Sequence, residues 1–271
     1  CLFPVAGDGP RFLPATKAQP KEMLPILTKP LIQYGVEEAL AAGMNGIAFV
    51  TGRNKRSIED HFDITYELED KISGTQQESQ LQGIRKLLEQ CTFSYTRQTQ
   101  MRGLGDAILT GETLIGEQPF GVILADDLCV DDALGVMAQM VKVYEKYQCS
   151  VVAVEEVPRA EVRKYGIVSG RVLDERHLQI EAMVEKPDPE NAPSNLAIIG
   201  RYILTPDIFD ILRNTPPGRG GEVQITDALQ TQARQGKVIA YRFSGRRFDC
   251  GSVEGFVDAT NFFFQRRQLA S

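Results

Sequence analysis

The order of segments over residues 2–51 constrains the fold more than any other feature of the chain. A short apolar run at residues 2–6 ends in Gly7-Asp8-Gly9 and a basic loop punctuated by prolines. Apolar residues at helical spacing follow, Ile32, Val36, Ala39 and Leu40, and the stripe stops at Gly43. Gly46–Thr51 (GIAFVT) then reads as a buried strand. Strand, loop, helix, strand is a βαβ unit, which implies a parallel sheet covered by helices. Pro4 inside the first run argues against a central place for that strand, because proline gives no N–H to the ladder.

Further on, residues 54–90 are polar and helical, with breaks near Asp63 and Gly74, and read as an excursion packed on the sheet edge. Strands are expected at 92–97, 120–125, 149–154, 166–172, 178–184, 198–204 and 238–243. Helices are expected from Gly103-Leu104-Gly105 to Leu114 and over 133–147, 206–212, 224–235 and 253–267. The pair 166–172 and 178–184 reads as antiparallel, so the expected sheet is mostly parallel but mixed. Phe262, Phe263 and Phe264 in succession cannot all face one side, which points to an oligomer contact on the last helix.

At 271 residues the chain has ample length for a buried core and reads as one domain, with a first part over 1–150 and a second over 151–271. A net charge of −6 argues against nucleic-acid binding. The five cysteines are scattered and form no CxxC pair, which fits a reducing cytoplasm better than a zinc site or a disulfide framework. No secretory leader or run of 18 apolar residues is present, so no membrane partner is expected.

The opening loop carries chemistry. Glycines without Cβ let backbone N–H groups approach a phosphate, and Arg11, Lys17 and Lys21 supply positive charge. No Gly-Lys-Ser/Thr closes it as a Walker A loop would, and no third glycine completes a dinucleotide fingerprint. Asp126 and Asp127 end an apolar run, where open α/β sheets bind ligands, although a turn explains them equally well from pattern alone. His61 and His177 lack metal-ligand spacing and read as structural.

Leu13-Pro14-Ala15-Thr16-Lys17-Ala18 and Pro20-Lys21-Glu22-Met23-Leu24-Pro25 resemble the signature of the sugar-1-phosphate nucleotidyltransferases. The resemblance continues through Lys29-Pro30-Leu31-Ile32-Gln33-Tyr34, Gly103-Leu104-Gly105, Val184-Glu185-Lys186-Pro187 and Phe248-Asp249-Cys250-Gly251, and so covers essentially the whole chain. It implies a three-layer α/β/α sandwich of Rossmann-like type, with the strand at 2–6 central after all. It also implies UTP and glucose 1-phosphate as substrates and UDP-glucose as product, with Mg²⁺ as cofactor and a homo-oligomer, dimer or tetramer, as the assembly.

Residue by residue, the resemblance assigns Arg11, Lys21 and Lys186 to catalysis. Ala6, Gly7, Gly9, Gln98, Gly103 and Gly105 are assigned to the nucleotide, and Asp126 and Asp249 to the metal. Tyr165, Gly166, Glu185 and Lys186 fall to the sugar phosphate. Three positions depart on the nucleotide side. Pro10 stands where the family has threonine, Asp106 where it commonly has histidine, and Asp8 adds a negative charge. Thymidylyl transfer to the same sugar and a non-catalytic regulatory paralogue therefore stand as alternatives to uridylyl transfer.

Overall fold

A computed structural model describes residues 1–269. Nine strands form one mixed sheet: β1 (Leu2–Pro4), β4 (Gly46–Thr51), β5 (Thr92–Arg97), β6 (Phe120–Ile123), β8 (Ser150–Glu156), β9 (Gly166–Val172), β10 (His177–Glu185), β11 (Leu196–Leu204) and β12 (Val238–Arg242). Two small antiparallel pairs stand apart, β2 (Pro25–Ile26) with β3 (Lys29–Pro30) and β7 (Asp127–Val130) with β13 (Arg246–Asp249). The sheet order is β5-β4-β1-β6-β11-β8-β12-β10-β9. From β5 to β6 the strands are parallel, as the βαβ opening demands. β1 lies inside the sheet between β4 and β6 despite Pro4.

Side-chain alternation explains why the sheet is covered on both faces. Leu2, Ala48, Val50, Val152 and Val154 pack on one side with Ile108, Phe209 and Ile225 from helices Leu104–Thr110, Ile208–Asn214 and Ile225–Ala233. Phe3, Ile47, Phe49, Val151 and Ala153 pack on the other with Val36, Leu87 and Met140 from helices Leu31–Ala41, Gln82–Gln90 and Val136–Tyr147. Residues adjacent in a strand thus serve opposite layers. The result is the expected α/β/α sandwich. Each fully buried Phe3, Phe49 or Ile47 side chain contributes about 1.5–3 kcal/mol.

Several boundaries differ from the sequence expectation. The helix expected from residue 133 begins at Val136, because Leu134 N–H is taken by the Asp131 carboxylate. The excursion over 54–90 divides into helices Arg56–His61, Tyr66–Ile72 and Gln82–Gln90 and a 3₁₀ segment Gln76–Leu81. β11 runs antiparallel between β6 and β8 inside the main sheet, and also pairs Leu196 and Ala197 with β9. Its Arg201, 1% exposed, is paired with Glu38 of helix Leu31–Ala41 and so ties sheet to helix. Of the three consecutive phenylalanines, Phe263 packs on Tyr34 and Phe262 on Phe248, which leaves Phe264 exposed. Among the described residues no helix is long and apolar enough to cross a membrane.

Candidate active site

At the end of β1 the backbone approaches its neighbours as closely as glycine permits. A Cβ on Gly9 would stand 2.9 Å from Lys21 Cβ, and one on Gly52 would stand 2.8 Å from the Ala6 carbonyl oxygen. Thr16 Oγ1 donates to Gly9 O at 2.5 Å. Among the described residues, the N–H groups of Ala6, Gly7, Asp8 and Gly9 donate no hydrogen bond, which leaves a row of backbone donors for an anion. Pro10 occupies the first position of a short 3₁₀ turn, Pro10–Phe12, where an N–H has no partner within the turn. Asp8 is exposed.

Asp126 and Asp249, far apart in sequence, meet through the β7–β13 ribbon. Its register sets Asp249 opposite Asp127, one residue from Asp126. A Cβ on Gly251 would lie 3.1 Å from both Asp126 Oδ2 and Asp249 Oδ1 and 3.3 Å from Arg11 Nη1, so all three groups converge on one point. Arg11 is held there by donating to Gly251 O at 2.9 Å. Lys21 Nζ donates to Asp126 Oδ2 at 2.5 Å. Burial works against the Asp126 carboxylate, but the Lys21 ammonium and then Arg11 hold it below the usual carboxylate range. Asp126 is therefore anionic at neutral pH.

A cleft of about 610 Å³ extends from these carboxylates to Tyr165, Gly166, Glu185 and Lys186. Lys186 N–H donates to the Tyr165 carbonyl at 2.9 Å, which closes the end of the hairpin. Lys186 itself has a left-handed backbone, φ 46°, uncommon outside glycine. Its Nζ lies 3.3 Å from Glu185 Oε1, while Glu185 Oε2 accepts from Thr226 Oγ1 at 2.6 Å. Beneath them Arg247 donates to Asp127 at 2.6 Å and to Glu155 at 2.6 Å, and lies against the Tyr165 ring. Burial pushes the Asp127 and Glu155 carboxyls up, and Arg247 only partly offsets it.

Gln98 and the Gly103–Gly105 loop form a separate corner. Gln98 Nε2 donates to Gly103 O at 3.2 Å and to Asp106 Oδ2 at 2.7 Å, and Arg102 pairs with the other Asp106 oxygen at 2.9 Å. Asp106 thus has a structural partner on each side. Gly103 has φ 97°, and a Cβ on Gly105 would stand 2.7 Å from Val223 O, so both glycines let the loop pack on residues 222–223. Those residues border the same cleft through Glu222. A second cavity, about 620 Å³, opens among the N-terminal ends of β1, β4, β5 and β6, but no aspartate, glutamate, lysine or arginine lines it.

The Nucleotidyl transferase family matches residues 5–266. The chain belongs to that family. It is 64% identical over 265 residues to the UTP–glucose-1-phosphate uridylyltransferase of Pseudomonas aeruginosa, covering 97% of this chain and 95% of that one. A crystal structure of apo UDP-glucose pyrophosphorylase superposes with a TM-score of 0.95 at 61% identity, with 98% of each chain covered. The structure of a UDP-glucose pyrophosphorylase complexed with UDP-glucose does so with a TM-score of 0.91 at 59% identity, again with 98% of each chain covered. Nucleotidyl transferases generally use a divalent metal ion. The donor set here suits one: two carboxylate oxygens converge beside a cleft, and hard cations take oxygen ligands.

Sequence reasoning missed Lys55, Arg247, Glu155 and Thr226. The only signal for Arg247 was its place directly before Phe248-Asp249, and nothing local marks the others.

Proposed function

We propose that the cleft transfers the uridylyl group of UTP to glucose 1-phosphate, releasing pyrophosphate and leaving UDP-glucose. The observation that carries this reading is the convergence of Asp126, Asp249 and Arg11 on one point, at the border between the N–H-lined loop and the Lys186 end of the cleft. In the transfer, a phosphate oxygen of glucose 1-phosphate forms a bond to the α-phosphorus as the bond to the β-phosphate oxygen breaks. Such a step needs positioning and charge neutralisation, and no protein nucleophile.

On this reading the N–H groups of Ala6, Gly7 and Gly9 hold phosphate oxygens of UTP, with Arg11 and Lys21 neutralising their charge. Gln98, Gly103 and Gly105 shape the seat of the base. Glu185 accepts from sugar hydroxyls, Tyr165 and Gly166 wall the sugar, and Lys186 holds the attacking phosphate. Asp126 and Asp249 would hold Mg²⁺, which supplies neutralisation of developing phosphate charge when bound. Lys21 already rests on Asp126, so it sets the direction of that carboxylate. The same reading places the enzyme in the cytoplasm. It also makes the protein a homo-oligomer that associates through the exposed Val253, Val257 and Phe264 of the last helix.

The test is a pyrophosphate-release assay. Release is expected only with UTP, glucose 1-phosphate and Mg²⁺ together, and with dTTP in place of UTP it should fall. Nucleotide hydrolysis in the absence of the sugar phosphate would contradict the reading.

A further inference from the structure

Lys55 lies in the core of the nucleotide end and has no role in the site described so far. It follows β4 and precedes helix Arg56–His61. Its side chain is 4% exposed, and Glu22, its partner at 2.8 Å, is 2% exposed. Taking two charges out of water is costly, and their mutual attraction repays it only with further hydrogen bonds to the buried groups. Here the same ammonium also makes a 2.7 Å hydrogen bond to the Gly7 carbonyl oxygen.

That hydrogen bond fixes which way a peptide faces. The Gly7–Asp8 peptide is trans, so its N–H points away from its C=O. With the Gly7 oxygen drawn inward to Lys55, the Asp8 N–H is turned to the exposed side of the loop, and it donates no hydrogen bond among the described residues. Glycine alone has no conformational preference that would hold this orientation. Glu22 adjoins Lys21 in the 3₁₀ turn Lys21–Met23, so the pair also ties this peptide to the turn that presents Lys21. Burial pushes the Glu22 carboxyl up, while Lys55 and then Lys21 pull it back.

We propose that Lys55 is a positioning residue that sets the anion-binding face of the Gly7–Gly9 loop by pinning the Gly7 carbonyl inward, with Glu22 balancing its buried charge. The proposal rests on the reading of this loop as the UTP triphosphate seat. Lys55→Met keeps the stem and removes the ammonium, but strands Glu22 in the core. Lys55→Met with Glu22→Gln removes the stranded charge as well. Glu22→Gln alone leaves the ammonium on Gly7.

Steady-state kinetics should show KM for UTP raised about tenfold in both Lys55 variants, the scale of a single missing hydrogen bond to phosphate, with KM for glucose 1-phosphate unchanged. The double variant should regain most of the Tm lost by Lys55→Met, yet keep the raised KM for UTP. Glu22→Gln should keep the wild-type KM for UTP. The proposal is overturned if the double variant recovers both Tm and KM, if both KM values rise together, or if Glu22→Gln matches the Lys55 variants. Calorimetry with inorganic pyrophosphate separates this from the functional reading, since it needs no turnover. Wild type that fails to turn over UTP but binds pyrophosphate more tightly than the double variant sinks only the reading; equal pyrophosphate binding sinks the role of Lys55.

Discussion

The proposed seats of the nucleotide and of the sugar phosphate are built from different materials. On the proposed reading the nucleotide seat is largely backbone: N–H groups from Ala6 to Gly9 that donate no hydrogen bond among the described residues, and glycines at 9, 52, 103 and 105 that let chain segments touch. The proposed sugar seat is made of side chains held by one another: Glu185 by Thr226, Lys186 against Glu185, and Tyr165 over Arg247, which Asp127 and Glu155 fix in turn. A surface of backbone donors tolerates substitution wherever the main-chain path survives. A network of paired charges does not, because each deletion strands a partner. On that reading the departures from the family pattern, Asp8, Pro10 and Asp106, all fall at the proposed nucleotide seat, where the main-chain path can absorb them. Asp8 projects to solvent, Pro10 starts a 3₁₀ turn, and Asp106 finds Gln98 and Arg102.

If that division holds, the largest effect comes from the border that both ends share. Asp126→Asn keeps the shape but removes the charge a hard cation needs. Mg²⁺-dependent turnover should therefore fall further than the ~10–100-fold typical of removing a residue that only orients a metal ligand. A Mg²⁺ titration that restored the wild-type rate would remove Asp126 from the metal set, as would unchanged activity after chelation.

Arg247→Met comes next and strikes the sugar end alone. It leaves the buried Asp127 and the half-buried Glu155 without their cation, which should cost about 3 kcal/mol of stability, seen as a lower denaturation midpoint. At temperatures where the variant stays folded, KM for glucose 1-phosphate should rise while KM for UTP holds. Equal rises in both would mean that the two ends are one unit.

Lys186→Ala should weaken glucose 1-phosphate binding by about 1.5–3 kcal/mol, roughly ten- to a hundredfold, with UTP affinity nearly unchanged. Calorimetry with each substrate checks the split.

The smallest effect is expected where the sequence alone suggests a large one. From sequence, restoring the loop by Asp8→Leu with Pro10→Thr should tighten UTP binding ten- to a hundredfold. With Asp8 exposed, its repulsion is screened, and only the one N–H regained at position 10 remains, so the gain should be about tenfold at most. A hundredfold gain would show that the backbone end is less tolerant than its geometry implies.

What was legible in the sequence follows the same division. The βαβ opening, the layered core and the hairpin of β9 and β10 rest on local periodicity, and each appears where its pattern lies. The β7–β13 ribbon was not legible. Asp127-Leu128-Cys129-Val130 is too short and too polar at its start to read as a strand, and its partner lies near the other end of the chain. Yet this ribbon is what brings Asp249 to Asp126. Lys55 and Glu22 escaped for a related reason: the burial of a lysine is decided by what folds over it, and its own neighbours Asn54 and Arg56 read as solvent-facing. Arg201 sits inside an apolar strand, and only Glu38, on a distant helix, makes it acceptable there.

On the proposed reading a single continuous cleft seats the nucleotide at one end and the sugar phosphate at the other. Competition calorimetry with UDP-glucose tests it most directly, because that molecule carries both recognised parts. Protein saturated with UDP-glucose should bind neither UTP nor glucose 1-phosphate measurably. If either substrate still bound with its full affinity, the two ends would not belong to one site, and the account would fail.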